Sequence, residues 1–161
     1  MSSSSGIVII PAQPCHLPEI IAIEKQLDSP WSEGQIADEL TLAHGWQFVA
    51  INPISEKVFG FIIGSICIDE AEIRKFAIAS QERRKGYGRI LLAHCLIFLD
   101  NQFTRVCFLE LRESNTAALQ LYTFFDFQKI GLRKNYYSNP CENAIILQKQ
   151  FSREGDLGEN N

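Results

Sequence analysis

The run Arg83-Arg84-Lys85-Gly86-Tyr87-Gly88-Arg89 sets four cations and two glycines directly before an apolar stretch, residues 90–99, long enough for a helix. Glycines at such a junction let the backbone curl with its N–H groups exposed. At a helix N-terminus those amides and the helix dipole favour an anion. The run is therefore a phosphate site, and its first candidate ligand carries a pyrophosphate. The other reading is a basic turn that merely caps a core helix, because short motifs match by chance.

Three pyrophosphate patterns compete for these residues. A P-loop needs Lys and Ser or Thr after its second glycine, and here Arg89 and Ile90 follow. A dinucleotide fingerprint needs a third small residue, and Leu91 stands in its place. What remains is Arg/Gln-x-x-Gly-x-Gly, met by Arg83, Gly86 and Gly88. This pattern resembles the acetyl-CoA loop of the GNAT acetyltransferase superfamily.

Two further residues have chemical potential. Glu110 interrupts the apolar segment Val106-Cys107-Phe108-Leu109, and strand alternation puts its carboxylate on the face of Val106 and Phe108. A carboxylate there must be paired or solvated. It is either a salt-bridge partner of Arg112 or another strand-end cation, or a general base working directly or through water. Tyr122 ends the helical segment Ala117-Ala118-Leu119-Gln120-Leu121-Tyr122. It is either an amphipathic core residue or a phenol able to protonate a departing thiolate. A free α-amine, with a pKa of about 7.7–8.0, needs only weak base assistance to attack a thioester.

These groups need elements to position them. Ile7-Val8-Ile9-Ile10 reads as a strand stopped by Pro11. Pro18, then Ile20, Ile21 and Leu27, predict an amphipathic helix. Ser32-Glu33-Gly34-Gln35 is a capping box for a second helix. Residues 46–51, 58–68 and 72–79 read as an antiparallel meander. The helix after the glycine turn is apolar nearly all round, which predicts burial. Residues 106–111 follow as a strand, Ser114 or Asn115 caps a helix through Tyr122, and residues 127–132 and 143–150 close as strands. The class is α/β, with a mixed sheet and no linker to divide it.

Composition narrows the partners. The 161 residues are 46% hydrophobic and 21% charged, ordinary for one globular domain. A net charge of −4 does not attract nucleic acid and suits a cationic substrate. Cys15, Cys67, Cys95, Cys107 and Cys141 lack C-x-x-C spacing, which argues against a disulfide framework or zinc site and for a reducing cytosol. Most of them sit in apolar runs and read as small core residues. His16, His44 and His94 lack metal spacing. No signal peptide or membrane span is expected. The serine-rich start, residues 1–6, and the acidic end, residues 152–161, read as loose segments around a single domain over 1–151.

In order along the chain stand the glycine loop, Leu109-Glu110-Leu111-Arg112-Glu113-Ser114-Asn115, and the Ala118–Tyr122 stretch. Together they make the chain resemble a GNAT enzyme over nearly its full length. Pro30-Trp31-Ser32, Arg133-Lys134-Asn135-Tyr136-Tyr137 and the segment from Glu142 to Leu147 resemble the RimI-type branch, the ribosomal-protein alanine N-acetyltransferases. The resemblance implies a splayed mixed β-sheet flanked by helices on both faces, with acetyl-CoA as cosubstrate and no metal. It implies that backbone groups of Phe76, Ala77 and Ile78 hold the pantetheine arm. Arg84, Lys85, Gly86, Tyr87, Gly88 and Arg89 would hold the pyrophosphate, and Asn115 would touch the cofactor arm. Glu110 falls at the proton acceptor and Tyr122 at the proton donor. Trp31, Tyr136 and Tyr137 fall near the substrate peptide. The implied partner is a protein N-terminus, that of a ribosomal protein, met in the cytoplasm by a monomer or weak oligomer without membrane or direct nucleic-acid contact. Arg74, Lys75, Asp126 and Asn143 depart from the branch pattern. A small-molecule amine acetyltransferase and a non-catalytic acyl-CoA-binding module are the alternatives.

Overall fold

Seven strands lie in one sheet in the order β1-β2-β3-β4-β5-β7-β6 in the computed structural model, which describes residues 6–153. Of the two segments expected to be loose, only Gly6, Ser152 and Arg153 are among the described residues. By compactness the chain forms two units, residues 1–65 with 73–96, and residues 66–72 with 97–161.

The first unit holds β1 (Val8–Pro11), α1 (Leu17–Glu24), α2 (Glu33–Glu39), β2 (Gly45–Ile51) and most of β3 (Val58–Cys67). It also takes most of β4 (Glu70–Ile78) and the start of α3 (Tyr87–Asn101). Pro11, expected to stop the first strand, instead belongs to it; it pairs with Phe48, and Ala12 N–H still donates to Gln47 O at 2.9 Å. β1 is the sheet edge, where proline's missing N–H removes no ladder bond. β1 pairs antiparallel with β2, and β2 with β3; of the meander expected over residues 46–51, 58–68 and 72–79, the antiparallel β2–β3 pair is seen and β4 lies next to β3. α1 stops at Glu24, short of Leu27. The capping box of α2 forms as read, Ser32 Oγ accepting from Gln35 N at 3.2 Å and Gln35 Oε1 from Ser32 N at 2.8 Å.

The core of this unit gathers Ile20, Ile23, Ile36, Val49, Phe61, Ile63 and Ala77. Gly60 on β3 sits where a Cβ would lie 2.9 Å from Ala77 O and 2.4 Å from Ile78 Cδ1. Only glycine admits that approach, which fixes the end of β4. α3 corrects an expectation. Leu91, Leu92, Cys95, Leu96 and Leu99 are buried, but Ile90, His94 and Ile97 face outward. The helix is amphipathic in placement although nearly uniform in composition.

The second unit holds β5 (Val106–Arg112), α4 (Thr116–Phe124), β6 (Gln128–Ser138) and β7 (Cys141–Gln150). β5 alternates strictly, with Cys107, Leu109 and Leu111 buried and Phe108, Glu110 and Arg112 on the partly open face. It pairs antiparallel with β7, Glu110 opposite Ile146. β7 pairs antiparallel with β6 through two register shifts. Asn115 caps α4, its Oδ1 accepting from Ala118 N at 3.2 Å. Asp126 takes the left-handed turn after α4 at φ 64°, a conformation short polar side chains tolerate. Cys95 and Cys107 are buried, but Cys15, Cys67 and Cys141 are exposed, so fewer cysteines serve the core than their apolar neighbours suggested.

Candidate active site

In the first unit the basic run leaves β4 through a short 3-10 turn, Ser80–Glu82, and enters α3 at Tyr87. Two departures into left-handed backbone shape it, Arg84 at φ 65° and Gly86 at φ 83°. A Cβ built on Gly86 would meet nothing within 4 Å, so the curl opens onto free space. The first α3 hydrogen bond runs from Ile90 N to Gly86 O at 3.3 Å, and the first-turn amides of the helix point toward the curl. Arg83 turns back to Ile78 O at 3.0 Å and ties the loop to the end of β4. Lys85 pairs with Glu82 at 2.8 Å, which raises its pKa above the ordinary 10.5. Arg84 and Arg89 are exposed. The loop can therefore receive a diphosphate through amides, dipole and cations together.

Phe76, Ala77 and Ile78 are the last residues of β4, shortly before this loop. Arg74 and Lys75 precede them and meet Trp31. Lys75 Nζ lies 5.1 Å and Arg74 Cζ 5.9 Å from the Trp31 ring centroid. Lys75 is bonded to Glu24 at 2.8 Å and to Ser29 O at 3.2 Å. Glu24 is fully buried and also accepts from Trp31 N at 2.7 Å. Arg74 bonds to Glu39 at 2.7 Å. Both unexpected cations are thus neutralised by buried acids, and both fix Trp31.

In the second unit Glu110, Tyr136 and Tyr137 come together. Glu110 Oε1 lies 2.8 Å from Arg133 Nε, with about a quarter of the side chain exposed. Of the two sequence readings of this carboxylate as a salt-bridge partner, Arg112 is replaced by a cation two strands away. The negative charge of Glu110 first, then hydrogen bonding to that carboxylate, holds the Tyr136 phenol above 10.0. Burial first, then Glu110, raises the Tyr137 phenol as well. Arg133 Cζ sits 5.5 Å from the Tyr136 ring centroid, and the two tyrosine rings meet edge to face at 5.1 Å.

Arg112 has a different task. It reaches Pro140 O and Asn139 O at 3.1 Å each, Glu142 at 3.2 Å, and the Tyr137 face at 4.3 Å. Glu142 in turn accepts from Ser114 N. Hydrogen bonds from Ser114, with the Arg112 contact, hold its carboxyl below the ordinary value of 4.5. A group depressed on folding stabilises above its unfolded pKa and loses that effect as pH falls through its folded pKa. Glu142→Gln is therefore expected to melt below the parent near neutral pH, and the gap should close as thermal unfolding is followed below about pH 4.

Tyr122 is buried on α4 with its ring edge against Phe127 at 5.3 Å between centroids. Asn115 stands at the start of the same helix. Residue spacing did not reveal Arg133 as the partner of Glu110, nor Glu24 as an anchor of Trp31. The only available signal for Glu24 was a charge on the stripe of Ile20 and Ile23. Among the described residues no group of three His, Cys, Asp or Glu could hold a metal ion, and no helix is long and apolar enough to cross a membrane.

Residues 17–127 match the acetyltransferase (GNAT) family. The chain is 30% identical over 145 residues to a "[Ribosomal protein bS18]-alanine N-acetyltransferase" of Haemophilus influenzae, covering 87% of this chain and 96% of that protein. It is 32% identical over 140 residues to the enzyme of the same name from Escherichia coli K12, covering 84% and 92%. The crystal structure of the ribosomal-protein-S18-alanine N-acetyltransferase from Escherichia coli superposes with a TM-score of 0.87 at 30% identity, over 97% of this chain and 99% of that one. A mixed seven-stranded sheet with flanking helices, the glycine curl opening α3 and this likeness over nearly the whole length agree, and the chain belongs to the GNAT acetyltransferase family.

Proposed function

We propose that this enzyme transfers the acetyl group of acetyl-CoA to the N-terminal α-amine of a protein beginning with alanine, that of ribosomal protein bS18, in the cytoplasm. The observation that carries the reading is Glu110 held by Arg133, with Tyr136 and Tyr137 packed beside that pair, in a chain so like enzymes named for that reaction. Acetyl-CoA supplies an activated thioester. The curl at Arg84, Lys85, Gly86, Tyr87, Gly88 and Arg89 holds its diphosphate, and the open space at Gly86 fits such a group. Backbone groups of Phe76, Ala77 and Ile78 take the pantetheine arm, and Asn115 touches it. Trp31, Tyr136 and Tyr137 receive the peptide. Glu110 accepts a proton from the α-ammonium, directly or through water, and frees the amine to attack. As the C–N bond forms and the C–S bond breaks, Tyr122 gives its proton to the departing sulfur of coenzyme A, the attacking nitrogen loses its surplus proton to water, and the tyrosinate regains a proton from solvent.

The test is mass spectrometry of the purified chain incubated with acetyl-CoA and either a peptide carrying the bS18 N-terminus or a panel of polyamines, amino acids and amine drugs. Acetylation at the peptide α-amine is expected to dominate. Strong transfer to the free amines with an unmodified peptide would overturn the reading. Tight coenzyme A binding without transfer to any amine would favour a sensor.

A further inference from the structure

Arg133 and Tyr136 are three residues apart on β6, yet the Arg133 guanidinium that bonds to Glu110 at 2.8 Å also lies 5.5 Å from the Tyr136 ring centroid. In a regular strand an odd separation puts two side chains on opposite faces. The ladder shows how this is avoided. Arg133 pairs with Ala144 and Tyr137 with Glu142, so residues 134–136 stand opposite Asn143 alone. At the centre of this bulge Asn135 is left-handed, at φ 53°. Its backbone N–H, turned out of the ladder, is received by Asn143 Oδ1 at 3.0 Å. Asn143 Nδ2 donates in turn to Glu113 Oε2 at 3.0 Å, and Asn143 O accepts from Glu113 N at 3.1 Å.

We infer that Asn143 is a positioning residue for peptide capture, acting through the Asn135 amide to hold the bulge that sets Tyr136 beside the Arg133–Glu110 pair. The inference rests on the proposal that Tyr136 receives the peptide. Asn143 itself touches neither Tyr136 nor Glu110 in any hydrogen bond of the described residues. A bulge is a local departure from the ladder that re-aims a side chain, and it lasts only while its displaced backbone groups are satisfied. An amide is needed at 143 because one end must accept from Asn135 and the other must donate to a carboxylate.

The test compares the parent with Asn143→Ala and with the double variant Asn143→Asp, Glu113→Gln. The double variant keeps the acceptor for Asn135 and reverses the donor and acceptor of the second bond. Asn143→Ala removes both side-chain bonds, and loss of the one that holds the Asn135 amide predicts a fall of about three- to tenfold in kcat/KM for the bS18 peptide, carried by KM. Coenzyme A affinity should not change, and the double variant should return to within about twofold of the parent. Hydrogen exchange at the Asn135 amide, read by NMR, should quicken in Asn143→Ala and recover in the double variant. That readout does not need the substrate to be known. Parent-like KM and parent-like exchange in Asn143→Ala would overturn the inference. So would failure of the folded double variant to recover either quantity. A parent that leaves the peptide unmodified would instead sink the functional proposal, and the exchange result would still decide whether Asn143 holds the bulge.

Discussion

Glu110→Gln is expected to lower kcat for peptide acetylation by about 100-fold, the usual scale for losing a general base, with coenzyme A affinity within about twofold of the parent. The amide keeps the shape of the side chain while removing the site for the proton. Arg133 loses its partner but is more than half exposed, so its structural cost is small. The size of the defect should depend on pH in a defined direction. A substrate α-amine with a pKa of about 7.7–8.0 is largely protonated at pH 7, and the base is needed most there. Above about pH 8.5 much of the amine is already neutral, so the gap between parent and variant should narrow. Tyr122→Phe should show a comparable loss of kcat without that narrowing, because its proton is given rather than taken. Stopped assays of both variants across pH, with calorimetric titration of coenzyme A, measure all three quantities. Native turnover in either variant would remove that residue from the mechanism.

The largest stability effect is expected at Lys75. Its ammonium is the charged partner of Glu24, whose side chain is 1% exposed, and the pair also gathers Ser29 O and the Trp31 amide. Breaking such a pair by removing one member leaves an uncompensated buried charge and costs about 3–5 kcal/mol. Lys75→Met should therefore lower the melting temperature by roughly 10 °C, on a scale of about 2–4 °C per kcal/mol for a chain of this size. The double variant Glu24→Gln, Lys75→Met tests the reason. The glutamine amide oxygen can still accept from the Trp31 amide while no charge remains to be desolvated, so most of the loss should return. If the double variant melts as low as Lys75→Met, packing of the lysine stem rather than charge is the source of the effect.

The sequence made different parts of this molecule legible to different degrees. Elements whose causes are local were read closely: the capping box at Ser32 and Gln35, the cap at Ser114 or Asn115 (which falls on Asn115), the glycine curl before α3, and the alternation that puts Glu110 on the face of Phe108 in β5. Errors arose where the answer depends on tertiary neighbours. Pro11 reads as a strand stop until β1 is known to be the sheet edge. The apolar surround of α3 cannot say that Ile90 and Ile97 face outward. The partner of Glu110 was sought at Arg112 or another strand-end cation, because proximity in sequence is all a sequence offers. Arg112 is instead taken by the β6–β7 turn, and Arg133 arrives from two strands away. The cations at Arg74 and Lys75 stood out as departures, but only the fold shows buried Glu24 and Glu39 opposite them.

Counting residues along the β6–β7 hairpin gives it an unusual tolerance. Between the pairs Arg133–Ala144 and Tyr137–Glu142 one strand advances by four positions and the other by two. Both steps are even, so the inside–outside phase is the same before and after the detour. Excising two residues there would leave every later side chain on its present face, whereas excising one would invert them all. The segment that presents Tyr136 can thus be gained or lost in pairs while the sheet around it keeps its pattern, which lets lineages vary what this end of the hairpin offers without redesigning the core.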